Sequence, residues 1–148
     1  MRFSAFAAFA LLSLSAEEPA RVYVYAQSQS EANRWLSVFC DGAVVAELKR
    51  GTFFAITLPS GRHAFTVKDG VPIVLEASAG QDAFIRLNWN HALNRPPIPV
   101  LAQVPQDKAR TEMRLLGYIS ANRIHSDRVA KADPCPAVPL ELKHRGPR

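Results

Sequence analysis

Side chains that could carry chemistry are few and scattered along this chain. His63 opens an expected strand directly after Pro59-Ser60-Gly61. An imidazole acts as a general base or a metal ligand only with partners, and no second His, Cys or carboxylate stands beside it at ligand spacing. It therefore reads as a turn-capping or half-buried histidine. Ser60 lies in Pro-Ser-Gly and not in a Gly-x-Ser-x-Gly elbow. Gly42, Gly51, Gly61, Gly70 and Gly80 are isolated, one per turn, so no phosphate-cradling loop exists. Asp41 and Asp69 each precede a turn glycine, where an Asx side chain satisfies backbone donors. The expectation is no catalytic residue, no metal and no cofactor.

Two features remain. Asn88, Trp89, Asn90, His91, Asn94 and Arg95 form the most suggestive stretch. Amides beside an exposed indole suit a glycan or peptide, by stacking on Trp89 and hydrogen bonding to the asparagines. The competing reading is a long inter-strand connection in which asparagine tolerates the left-handed region and Trp89 plugs one end of the fold. Cys40 and Cys135 are the only cysteines. A bridge between them would close a long loop, worth about 4–5 kcal/mol in the chain-entropy model. Strand parity offers the alternative: if Leu36, Val38 and Cys40 face inward, Cys40 is a buried thiol and Cys135 an exposed one.

These residues need a scaffold, and 148 residues suffice for one domain. A hydrophobic content of 48% excludes wholesale disorder. The net charge of +5 is unevenly spread. Residues 17–120 hold 11 basic and 10 acidic side chains, whereas residues 121–148 hold 6 and 3. A nearly neutral body lacks the basic stripe of a nucleic-acid binder. Residues 1–16 carry Arg2, an uncharged run rich in Phe, Ala and Leu, and a small-residue end at Ser15-Ala16. That pattern is a secretory signal peptide, too short to span a bilayer. The expected protein is exported, periplasmic or extracellular, with no membrane span.

From residue 21 to 104, short β-favouring runs alternate with turn signals: 22–25, 35–40, 43–48, 52–58, 62–67, 73–77, 83–89 and 98–104. Asp41-Gly42 between two such runs is a strong hairpin signal. Pro99 marks the last run as an edge strand. This spacing predicts an all-β, two-sheet β-sandwich, transthyretin-like or immunoglobulin-like, over residues 20–120. Residues 108–116 read as one short helix, with Asp107 as N-cap or first-turn acid, Ala109, Met113 and Leu116 on one face, and Gly117 as the stop. Residues 121–148 hold four prolines and no periodicity, and read as a basic, mostly disordered tail.

The stretch Val38-Phe39-Cys40-Asp41-Gly42-Ala43-Val44-Val45-Ala46-Glu47-Leu48, then Gly51-Thr52-Phe53-Phe54, then Leu58-Pro59-Ser60-Gly61-Arg62-His63 resembles an exported bacterial family catalogued as domain of unknown function 2846. A similar hairpin unit occurs in PEGA modules. The likeness runs from about residue 21 to 116 and implies a transthyretin-like sandwich, no established activity and no catalytic residues. Cys40 departs from the aliphatic residue usual there, and the stretch after Ile119 has no counterpart. The expected function is a non-enzymatic protein-binding or assembly module of the cell envelope, working by an edge strand or a loop end as a monomer or weak dimer. A glycan-binding module built on the Trp89 loop is the alternative.

Overall fold

The computed structural model describes residues 18–119 and 123–125. Its strands are β1 (Ala20–Ala26), β2 (Leu36–Cys40), β3 (Ala43–Leu48), β4 (Thr52–Leu58), β5 (Gly61–Val67), β6 (Ile73–Ala77), β7 (Asp82–Asn90) and β8 (Ile98–Val104). The helix α1 (Gln106–Met113) and a two-residue strand β9 (Gly117–Tyr118) follow. One sheet has the order β8-β7-β1-β4-β9 and the other β3-β2-β5-β6. The protein is an all-β two-sheet sandwich, with a single short helix among the described residues. Neighbours pair antiparallel except β1 with β7 and β4 with β9, which run parallel.

The two sheets bury one core between them, including Val22, Val24, Val38, Cys40, Phe54, Phe65, Leu75, Ile85 and Leu101. Strand alternation explains both faces of β1. Val22 and Val24 enter this core, while Tyr25, with Tyr23 beside it, joins Phe84, Val104 and Ala109 in a second cluster under α1. A strand apolar on both faces is thus covered on both, by the second sheet and by the helix.

The helix itself is polar, and a hydrogen-bonded clamp ties it to the sheet. The Tyr25 hydroxyl donates to Glu112 Oε2 at 2.6 Å, and Arg86 Nη1 donates to Glu112 Oε1 at 2.7 Å and Oε2 at 3.0 Å. Burial alone would push the Glu112 carboxyl up, but the Tyr25 hydroxyl and the Arg86 guanidinium together hold it below its ordinary value. Burial, reinforced by the neighbouring Glu112 charge, pushes the Tyr25 hydroxyl well above its usual range.

Two expectations about the C-terminal part change, and Asp107 takes the second of its two expected roles. Asp107 lies in the first turn of α1, and Pro105 occupies the N-cap position with no side-chain cap. Gly117 does not stop the helix, which ends at Met113; Gly117 opens β9, donating its N–H to Gly51 O at 2.9 Å. Residues 123–125, expected within a mostly disordered tail, dock on β3 instead. Arg123 pairs with Glu47 at 2.8 Å and lies 4.3 Å from the Trp35 ring centroid, Ile124 packs on the main core, and His125 N–H donates to Val45 O at 2.5 Å. The remainder of the tail and the expected signal peptide lie outside the described residues.

Candidate functional site

The β2–β3 hairpin closes through Asp41 at φ 51° and Gly42 at φ 83°. Positive φ at both central residues matches the turn type that Asp-Gly favours. The Asp41 carboxylate, however, does not serve its own turn. Its Oδ1 accepts from Ala64 N–H at 2.9 Å, and its Oδ2 lies 2.6 Å from His63 Nδ1, both on β5. His63 Nε2 donates to Pro59 O at 2.7 Å. The histidine, 8% exposed, therefore bridges two turns: β2–β3 through Asp41 and β4–β5 through Pro59.

This corrects the expectation that His63 lacks a nearby carboxylate or cysteine. Cys40, Asp41 and His63 bring their ligand atoms within 4.8 Å of one another. The geometry nonetheless favours a hydrogen-bonded clamp over a metal centre. Two ligand atoms on one tetrahedral zinc at ordinary bond lengths stand roughly 3.3 Å apart. The Nδ1–Oδ2 separation of 2.6 Å is that of a charge-assisted hydrogen bond. A thiol nucleophile is equally disfavoured. Burial, helped by the Asp41 charge, pushes the Cys40 thiol far above its ordinary value, so it stays protonated at neutral pH. Cys40 is a fully buried free thiol, as its strand parity implies. Cys135 lies outside the described residues.

The Trp89 stretch divides between two faces. Asn88 is held by Arg86 Nε at 2.8 Å on the helix-covered side of β7. Trp89 points the other way, packs against the main core and donates Nε1–H to Ser30 Oγ at 3.2 Å. Asn90 closes β7 opposite Ile98, His91 sits 2.6 Å from the Glu31 carboxylate, and Asn94 takes φ 64° in the connecting turn. Adjacent strand residues cannot present an indole and an amide to one ligand, so the expected constellation is not assembled as a unit.

A groove of about 440 Å³ forms here from other residues. Trp89, Leu36, Ile98 and the prolines at 96, 97 and 99 supply its apolar lining, and Lys68, Asp69 and Arg95 its charges. Of the expected residues only Trp89 and Arg95 reach it. Lys68 and Asp69 arrive because the β5–β6 turn presses on β8. A Cβ on Gly70 would lie 2.8 Å from Pro99 O, and Val71 bridges to Val100. Such a contact between residues 29 apart leaves no periodic trace in the sequence; only the glycine after Asp69 hints at close approach.

No protein-family model, curated protein or solved structure matches this chain.

Proposed function

We propose that the protein is a non-enzymatic binding module of the cell envelope, exported by its N-terminal segment, that takes an apolar stretch of another protein into the Trp89 groove. The groove at the end of the sandwich carries this reading: about 440 Å³ with a largely apolar lining and a few charges at its edge suits a short anchoring segment. The lining favours a protein segment over a glycan, because the asparagine amides a sugar would use face elsewhere or sit in turns. The clamp at Cys40, Asp41 and His63 supports a scaffolding role, since its thiol is buried and both imidazole nitrogens already have partners. The fold also agrees with the resemblance to the exported family.

The test uses Trp89 fluorescence in a Trp35→Phe background. Extended peptides with an apolar anchor should give a saturable shift that oligosaccharides do not give. Ile98→Asp, at a groove position 39% exposed and so tolerant of change, should abolish it. Peptide responses unaltered by Ile98→Asp, or a response to oligosaccharides alone, would overturn the reading. Export is tested separately by N-terminal sequencing of protein secreted from a bacterial host; an intact Met1 on soluble cytoplasmic protein would contradict it.

A further inference from the structure

Sheet edges are hazards, and other parts of this chain contact three of the four long strands that would otherwise bound the sheets. Val71 makes one bridge to Val100 on β8, the two-residue β9 lies along the start of β4, and His125 N–H bonds to Val45 O on β3. Strand β6 differs. Among the described residues nothing pairs with its outer side.

The direction of its backbone groups follows from one contact. Ala64 sends its N–H to Asp41 Oδ1 and accepts at its C=O from Asp41 N–H, so Ala64 faces β2. By alternation His63 and Phe65 face β6, and their partners Leu75 and Ile73 face back toward β5. Val74 and Glu76 therefore point their N–H and C=O groups outward. The edge is also regular and undefended. The β5–β6 register runs without a bulge, no Pro or Lys lies within β6, and its one charge, Glu76, is paired with Arg62 at 2.5 Å. Val74 and Val71 stand 63% and 61% exposed beside it.

We infer that β6 is a self-association edge: two copies pair their β6 strands antiparallel about a two-fold axis at Leu75, joining two four-stranded sheets into one. The register decides in favour of a second copy. Rotation about Leu75 sets Val74 opposite Glu76 of the second copy, twice, so every outward group meets another outward group and four backbone hydrogen bonds form. Charges agree as well. Across the seam, the row reads Arg62, Glu76, then Val74 and Ala64 of the second copy, so no like charges oppose one another. A pairing of two five-residue strands buries far less than the roughly 1,200 Å² of a standard stable interface, so the association is weak.

Amide hydrogen exchange on the full mature chain, over about a hundredfold range of protein concentration, reads this directly. Val74 and Glu76 amides should gain protection as concentration rises, severalfold or more, while Ile73, Leu75 and Ala77, already bonded to β5, should not change. Val74→Pro removes an outward N–H without touching the β5 ladder and should abolish self-association in sedimentation. Val74→Glu sets like charges opposite Glu76 of the second copy and provides the same block should the proline variant fail to fold. Exchange at Val74 and Glu76 independent of concentration, or association that survives Val74→Glu, would refute the proposal.

Discussion

Replacing Asp41 tests whether the clamp between two turns stabilises the sandwich. Asp41→Ala removes three things at once. The Ala64 N–H loses its acceptor at 2.9 Å, at about 1–2 kcal/mol. His63 Nδ1, on a side chain nearly buried, loses its partner at 2.6 Å, at a similar cost. Alanine must then hold φ 51°, at about 1 kcal/mol more. The sum is about 4 kcal/mol, which in a domain of this size lowers Tm by about 15–30 °C. Asp41→Asn keeps a residue suited to positive φ and an oxygen for Ala64, and should cost only about 1–2 kcal/mol. Thermal unfolding by circular dichroism, with urea titration for free energies, measures both. In a double-mutant cycle, His63→Leu should cost at least about 1 kcal/mol less in the Asp41→Ala background than alone. An Asp41→Ala protein melting within about 5 °C of the parent, or strict additivity with His63→Leu, would refute the clamp.

Three further outcomes follow from the same contacts. Cys40→Val should cost less than about 1.5 kcal/mol and Cys40→Asp should prevent stable folding, while the native thiol should resist aromatic disulfide reagents until the chain is unfolded; rapid labelling of Cys40 in the native protein would contradict its burial. Because the folded Glu112 carboxyl is held below its ordinary 4.5, its contribution is present above that value and lost as pH falls through the lower folded value. Parent and Glu112→Gln should thus differ in urea stability at pH 7 and converge in acid, and a gap that persists unchanged in acid would remove the carboxylate from the clamp. A chain ending after residue 125 should melt like the full protein, whereas one ending after residue 121 loses Ile124 packing and the Val45 hydrogen bond, about 2–3 kcal/mol, or about 10 °C or more. Equal melting of the two would mean that residues 123–125 contribute nothing.

What the sequence made legible was whatever local pattern controls. Runs of alternating β-favouring residues located β3, β4, β6 and β8 to the residue, and Asp-Gly named the hairpin between β2 and β3. Pro99 correctly placed β8 at an edge. The failures share one cause: partners distant in sequence. Gly117 looked like a helix stop because glycine is common there, yet its neighbour in space is Gly51. Residues 123–125 each dock by a different interaction, which leaves no periodic trace. Asp41 looked like a local turn residue, and no spacing rule connects it to His63 across β2 and β5.

The same limit shaped the two candidate sites in opposite ways. At Cys40, Asp41 and His63 the fold gathered reactive residue types that the sequence kept apart. Their short contacts and burial then spend them on structure, as the 2.6 Å separation at His63 shows. At Trp89 the sequence put six polar and aromatic residues side by side, and strand alternation sent Asn88 and Trp89 to opposite faces. The groove that replaced that constellation draws Leu36 from β2 and Lys68 and Asp69 from the β5–β6 turn, so binding capacity here belongs to the packing of turns at one end of the sandwich. Sequence proximity is thus a poor guide to a site on this fold. Register and parity are better ones, and they also make the outward amides of β6 a testable surface.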